Sequence, residues 1–448
     1  MCNNSTFDVI IAGGGVLGVS IAYWLSYVTN SKILLIDSYS SLGSGTTYLN
    51  SGMVEAPFFY DPSTKSIFGE SVCRSRKLWR KLQAMYRLPW REVGSLEIAL
   101  DEDSLGIIEK HEMRARSYCP DEEYRVIGPD EIKKIEPNLK ASCALLSPND
   151  AATDYKILTE TVGTLASHNS VQYLMNAEVV SVSEKENFVE ITVRLGGSVN
   201  IYKAAGFINA TGGAALSLAH SMGLANDLAE IFIGSYYWKV NDAANAVFNH
   251  HVYYIAKYSS QYPFLEPYLT IRVDGSREIG PKPFLVGSHD YRKYGGTVDF
   301  LASIFKRPIE PKIKMLTNNE LRSMIYNIMG NIFSEDVVFN KVKAFIPDMK
   351  KNLLVNKHKS GKRNIIIGKA GIVHPTSIIQ TQRTMHVLQY FEPGATGTPS
   401  FSSLLAKYLI DKWGLKKRMS QPTQEIWDYN FASEISLNNL KSLFISSR

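Results

Sequence analysis

Apolar residues follow two rhythms along this chain. In the first third they come as short runs and at helical spacing. Phe7-Asp-Val-Ile-Ile-Ala12 and Lys32-Ile-Leu-Leu-Ile-Asp37 read as strands, and the apolar stretch 16 to 28 between them reads as a helix. Helical spacing returns at about Thr64 to Met85 (Ile67, Val72, Leu78, Leu82), at 101 to 118 and at Tyr155 to Ser167, with strands at 94 to 100, Val171 to Met175, Val179 to Val182 and Val189 to Val193, a strand running into a capped helix over Arg125 to Pro137, and a strand entering Gly206 to Gly213. From Ile231 the texture becomes alternating and rich in Tyr and Trp: Phe232 to Val240, His251 to Ala256, Tyr268 to Val273 and Arg277 to Gly280. That period of two predicts a mostly antiparallel sheet. A helical stretch at 314 to 333, strands at Asn364 to Gly368 and Met385 to Tyr390, and a helix from Ser400 to Trp413 complete the pattern.

The first strand, helix and second strand enclose Gly13-Gly-Gly15-Val16-Leu17-Gly18, and the second strand closes on Asp37. Each position has a physical reason to be there in a dinucleotide-binding turn. Gly13 permits the turn, Gly15 lets backbone approach a pyrophosphate, Gly18 lets helix pack on strand, and the acid accepts hydrogen bonds from ribose hydroxyls. The expected class is therefore α/β. A Rossmann-type nucleotide-binding domain with a parallel sheet is discontinuous over 1–90, 145–225 and 340–413; a mostly antiparallel β-sheet substrate domain, built from 91–144 and 226–339, is inserted in it; and 414–448 form a tail.

Composition narrows the partners. The 448 residues carry 49 Lys and Arg against 43 Asp and Glu, a formal charge of +6, which favours small anions or a membrane surface; no basic cluster is dense enough for nucleic acid. Cys2, Cys73, Cys119 and Cys143 are scattered without metal spacing, so the expectation is reduced thiols, no metal, and a cytoplasmic protein. No stretch is apolar for the length of a membrane span, and no signal peptide precedes the first strand. The tail has Gly-Leu-Lys-Lys-Arg418 and then Ile435, Leu437, Leu440, Leu443 and Phe444 at helical spacing. Such a segment lies on the inner face of a membrane, docks on an anchor protein, or packs on its own domain.

At this point the chain resembles the D-amino-acid-oxidase-like superfamily of FAD enzymes, on the branch with L-2-hydroxyglutarate dehydrogenases, FAD-linked glycerol-3-phosphate dehydrogenases and malate:quinone oxidoreductases. The carriers, in serial order, are the glycine turn with Asp37, Asn50-Ser-Gly52 with Tyr60 to Lys65, Phe207 to Gly213, Gly234-Ser-Tyr-Tyr237, Pro263-Phe-Leu, Asp274 to Ser276 with Gly280-Pro281, and Pro393-Gly-Ala-Thr-Gly397. The resemblance implies non-covalent FAD held by Gly13, Gly15, Val16, Leu17, Gly18, Asp37 and Ser38, with Ser44, Gly45, Thr46 and Thr47 near the pyrophosphate. It also implies Val179 at the adenine, Ala210, Thr211 and Gly212 beside the cofactor, and a flavin ring between Asn50-Ser51-Gly52 with its following loop and the turn Gly394, Ala395, Thr396, Gly397, Thr398. Physics supports the last placement, because a glycine turn opening a helix presents unpaired N–H groups suited to negative charge on a reduced ring.

The chemistry expected is oxidation of the secondary alcohol of a small anionic hydroxy compound, a 2-hydroxy acid such as 2-hydroxyglutarate or malate, with hydride passing to flavin N5 and electrons onward to quinone or a protein acceptor. Glycerol 3-phosphate is the alternative, followed by an amine or amino acid, or a flavin subunit that only transfers electrons; a homodimer is compatible with each. The relatives' His after Asn-Ser-Gly is replaced here by Glu55, and the arginine after the late Ala-Gly gives way to Gly371-Ile-Val-His374. His374 and Glu55 therefore compete as base, with His289 behind them. Arg272, mid-strand in Thr-Ile-Arg-Val, is the candidate for the substrate anion, ahead of Lys65 and Lys282. Among Tyr236, Tyr237, Tyr254 and Tyr268, the last three are the expected pocket lining.

Overall fold

The computed structural model describes residues 6–241, 248–255, 266–290, 297–304, 313, 319–332, 336–369, 371–373, 376–419 and 426–446. Strand Thr6–Ala12 lies at the centre of an eight-stranded sheet. It pairs in parallel with Ile33–Ile36 on one side and Ser198–Asn209 on the other, and Val171–Leu174 and Thr384–Tyr390 extend the parallel array outward. Ser198–Asn209 is long enough to serve two partners on one edge. Its first half carries the antiparallel hairpin Ala177–Glu184/Val189–Leu195, and its second half carries Thr384–Tyr390. Helices Val16–Val28, Tyr155–His168 and Gly394–Trp413 bury one face, with Val9, Ile11, Trp24, Leu35, Leu158 and Leu405 in one apolar cluster.

The second sheet has ten strands and is mostly antiparallel, with Ala229–Val240, Arg277–Val286, Tyr268–Ile271, His251–Tyr254, Ser95–Ala99 and Cys143–Ser147 in spatial succession. Leu354–Lys359, Arg363–Gly368 and Gly371–Ile372 also pair here. The stretch 354–372, expected with the nucleotide sheet, thus belongs to the substrate-side sheet. Its strands alternate less visibly than the aromatic ones, which hid the partnership. A small sheet, Met53–Val54 with Ala151–Thr153 and Trp90–Glu92, joins the two layers.

Two further expectations are corrected, and the tail takes one of its three expected placements. The late helix begins at Gly394, six residues before Ser400, and runs through Pro399. The missing N–H of that proline would leave the Ala395 carbonyl unpaired, and Trp79 Nε1 donates to it at 3.2 Å and to Thr396 O at 3.1 Å. Cys73 and Cys119, 46 residues apart, are joined as a disulfide because helix Pro62–Tyr86 packs beside the end of helix Leu105–Tyr118; Cys143 is free and buried, and Cys2 lies outside the described residues. The tail's apolar face is covered by its own protein. Ile435, Leu440 and Leu443 are buried, Ile378 N–H donates to Leu443 O at 2.9 Å, and Trp427 is inserted among Tyr23, Trp24 and Trp79. Among the described residues no helix is long and apolar enough to cross a membrane.

Candidate functional site

The glycine turn sits at the carboxyl end of the parallel strands. Gly13 has φ +110°, and a Cβ there would lie 2.3 Å from the Ala210 carbonyl oxygen; one on Gly18 would lie 2.0 Å from Gly13 O. These two glycines are demanded by close packing. Gly15 differs, since a Cβ there would meet only Thr47 Oγ1 at 3.3 Å, so its outer side is otherwise open. Thr47 Oγ1 accepts the Val16 N–H at 3.0 Å, occupying one donor of the helix that begins Val16-Leu17. Asp37 accepts from Gly14 N–H and, at 2.7 Å, from Tyr39 N–H. Half-buried Ser38 follows it, and Val179 lies two residues beyond Ala177, whose N–H donates to Asp37 O at 2.9 Å. Along the same edge Ser44 bonds Ser41, Gly45 O accepts Tyr48 N–H at 3.1 Å, and Thr46 is exposed. Beyond Ala210 come half-buried Thr211 and exposed Gly212, whose φ of +61° and open Cβ direction leave backbone uncovered.

A loop and a turn face each other next to this edge. Asn50 folds the loop with its own side chain, donating to Thr47 O at 2.9 Å and accepting Gly52 N–H at 2.8 Å; Gly52, at φ +72°, then offers its carbonyl to Thr153 N–H at 2.7 Å. Opposite, the helix from Gly394 has no side-chain cap, and a Cβ on Gly394 would meet nothing within 4 Å. Thr396 Oγ1 lies 3.0 Å from Tyr155 OH and 3.3 Å from Met53 O, Gly397 packs on Pro393, and Thr398 Oγ1 donates to Gly394 O at 2.8 Å. An uncapped helix end thus presents its positive dipole beside the 50–56 loop.

The ten-stranded sheet turns a third wall toward the loop. Tyr253 OH donates to the carboxylate of half-buried Glu55, and Tyr237 and Tyr268 hydroxyls are 2.6 Å apart. Burial pushes Glu55 above the ordinary 4.5, against the Tyr253 hydrogen bond and the charges of Arg363 and Arg76, which pull it down, while Asp150 adds to the rise. Burial also raises Tyr237, Tyr253 and Tyr268, so all three stay protonated as donors. Arg363 stands 5.7 Å from the Phe391 ring centroid, and its charge reaches Glu55, Tyr60, Tyr237 and Tyr268.

Several expected residues are elsewhere. Arg272 donates to Glu278 at 2.7 Å and to Asn50 O at 2.6 Å, so its charge is matched and it clamps the loop. Tyr254 faces the opposite side of its strand and stacks on Phe345 at 5.8 Å; neighbouring residues on a strand point to opposite faces, and Tyr253 is the one turned to Glu55. Tyr236 stacks on Phe284 at 4.4 Å, Lys65 pairs with Glu392 at 2.9 Å, and His289 packs at Gly213 and Phe232. His250 and His251 diverge, toward Glu136 and toward Ala151 O. His374 lies outside the described residues. Sequence reasoning passed over Tyr253 and Arg363. Arg363 ends the polar run Lys357-His-Lys-Ser-Gly-Lys-Arg, which looks like a solvated turn until Ser360 and Gly361 are seen bonded to Leu49 O at 2.6 and 2.9 Å.

The family described as FAD dependent oxidoreductase matches residues 8–406. L-2-hydroxyglutarate dehydrogenase of Escherichia coli strain K12 is 25% identical over 400 residues, covering 87% of this chain and 90% of that protein. Glycerol 3-phosphate oxidase of Mycoplasma pneumoniae is 24% identical over 282 residues, covering 62% and 71%. Among solved structures, the FAD-bound L-alpha-glycerophosphate oxidase of Mycoplasma pneumoniae superposes with TM-score 0.67 at 19% identity, covering 93% of this chain and 97% of that one. L-proline dehydrogenase of P. horikoshii gives 0.66 at 18%, covering 96% and 98%.

Proposed function

Because the chain belongs to the family of FAD dependent oxidoreductases, we propose that it oxidises the alcohol carbon of a small 2-hydroxy acid, with Glu55 as the base and Arg363 as the cation that holds the carboxylate. The groups present suit FAD. The open side of Gly15, the exposed backbone at Gly212 and the acid at Asp37 make a cradle that would hold the dinucleotide, and the uncapped helix at Gly394 would favour negative charge on its reduced ring. When bound, FAD supplies the hydride acceptor.

One observation carries the substrate reading: a carboxylate, three protonated tyrosines and a guanidinium converge on the wall opposite that helix end. Glu55 takes the hydroxyl proton, Tyr268, itself accepting from Tyr237, donates to a carboxylate, and Arg363 balances its charge. Arg272 and Lys65 are each matched by an acid. The names of the relatives point to hydroxy compounds of both kinds. The electrons pass on to a quinone or protein acceptor.

The test is anaerobic bleaching of the purified flavoprotein with L- and D-2-hydroxyglutarate, malate, glycerol 3-phosphate and glycine in turn. Bleaching by a hydroxy acid, with reduction slowed roughly 10²- to 10⁴-fold in Glu55→Gln, the scale of general-base catalysis, is the expected outcome. Bleaching by glycerol 3-phosphate or glycine alone would replace the substrate, and a Glu55→Gln enzyme as fast as wild type would remove the base.

A further inference from the structure

Behind the Glu55 loop lies a charge cluster that the chemistry above does not use. Arg76, on helix Pro62–Tyr86, is 1% exposed and reaches Glu122 and Asp150, each at 2.5 Å. Tyr124 donates to Glu122 at 3.1 Å, and Ser95 and Ser147 donate to Asp150 at 2.7 and 2.9 Å. A buried ion pair of this sort adds little net stability compared with apolar packing of the same volume, because desolvating the charges offsets their attraction. Its value lies in direction: each partner accepts neighbours in only one geometry.

That geometry ends on the base. Arg76 Nη1 also donates to Val54 O at 3.4 Å, and Asp150 Oδ2 accepts the Ala56 N–H at 3.2 Å. The carbonyl before Glu55 and the amide after it are therefore held by the two halves of one ion pair. A covalent tie runs alongside. Cys73 precedes Arg76 by one helical turn, Cys119 precedes Glu122 by the same three residues, and the disulfide joins the same two segments as the Arg76–Glu122 bridge.

We propose that Arg76 and Asp150 are positioning residues that aim the Glu55 carboxylate into the cavity, with the Cys73–Cys119 disulfide bracing the Arg76–Glu122 side of the assembly. This rests on Glu55 being the base. Around that carboxylate stand Tyr253, Tyr268 and Arg363 from the ten-stranded sheet, Tyr60 and Tyr155 from the loop and helix beside it, and Asp150 and Arg76 behind. Asp150 raises the proton affinity of Glu55, and Arg76 lowers it.

The experiment is single-turnover flavin reduction by the hydroxy compound that bleaches the holoenzyme, L-2-hydroxyglutarate being the expected one, followed across pH in four variants. Arg76→Lys keeps the charge but cannot reach both acids and the Val54 carbonyl. Its reduction rate at saturating substrate should fall about 10- to 100-fold, the scale of a slight misplacement of a reacting group, with the acid-limb midpoint unmoved. Asp150→Asn should lower the rate similarly and move the midpoint down, because the like charge is gone. Substrate affinity should hold in both. If both variants fail to retain flavin, Cys119→Ser opens the brace without altering a charge: a slowed reduction supports the proposal, and a wild-type rate overturns it. A Glu55→Gln enzyme that keeps the wild-type rate defeats the base reading itself. A collapsed rate in Glu55→Gln, alongside wild-type rates and midpoints in Arg76→Lys and Asp150→Asn, defeats only the positioning role.

Discussion

The two walls of the cavity are built on different principles. The nucleotide edge is a matter of backbone: a turn with φ +110° at Gly13, an atom-tight approach of Gly18 to Gly13, and a helix end that needs no side chain of its own. The opposite wall is a matter of side-chain direction. Glu55, Tyr237, Tyr253, Tyr268 and Arg363 come from five separated segments, and each counts only through the direction in which its strand or loop turns it, Arg363 staying exposed. The first kind of wall tolerates little variation at a few glycines, while the second can change residue by residue.

The largest effect that could break this contrast is at Gly15. Gly15→Leu should leave the protein folded but colourless, since a side chain there would occupy the open ground above the turn. Flavin absorbance after purification checks it, and a yellow variant would show that the edge is less demanding than its geometry implies. Next comes the cation. Arg363→Met should raise the substrate Kd about 100-fold or more, the scale of a charge-assisted bidentate contact of about 3 kcal/mol. Arg272→Met should instead lower thermal stability, by freeing Glu278 and the Asn50 carbonyl, and steady-state kinetics beside a melting curve separate the two.

A smaller effect distinguishes the walls by pH. His251 of the substrate-side sheet and His386 of the nucleotide sheet are both buried, and burial pushes each down to about 4. The unfolded chain takes up protons below about 6.5 while the folded one resists until about 4. Each histidine therefore contributes stability fully above 6.5 that is lost as pH falls through this window, on the order of 3 kcal/mol apiece. Urea melts at pH 7 and pH 5 should show it, and His251→Asn and His386→Asn should each flatten part of the slope. The smallest effect is Tyr254→Phe, which should leave flavin reduction unchanged because that ring stacks on Phe345 behind the sheet. Tyr253→Phe should shift the acid limb upward by removing the hydrogen bond that favours the charged carboxylate.

What could be read from the sequence follows the same division. The strand, glycine turn, helix and second strand at the N-terminus were legible because local backbone constraints leave marks at fixed spacing, and helix 16–28 falls on its expected bounds. The second sheet was legible as a class, through its alternating aromatics, but its phase was not: choosing Tyr254 over Tyr253 is a one-residue error that puts the side chain on the wrong face. Arg272 has the right residue type on the right strand, and only the structure shows Glu278 beside it. Pairings across long stretches of chain, such as Cys73 with Cys119 or Ser360 with Leu49, left no local trace.

Trp427 adds something about the order of events during synthesis. Its indole completes the aromatic cluster of Tyr23, Trp24 and Trp79, and its Nε1 donates to Leu78 O at 2.8 Å. Residues of two early helices are thus sealed by a side chain that follows Leu78 by 349 positions. Until Trp427 has been made, the helix behind the glycine turn is without that cover, and a truncation before it should expose apolar surface of the nucleotide layer.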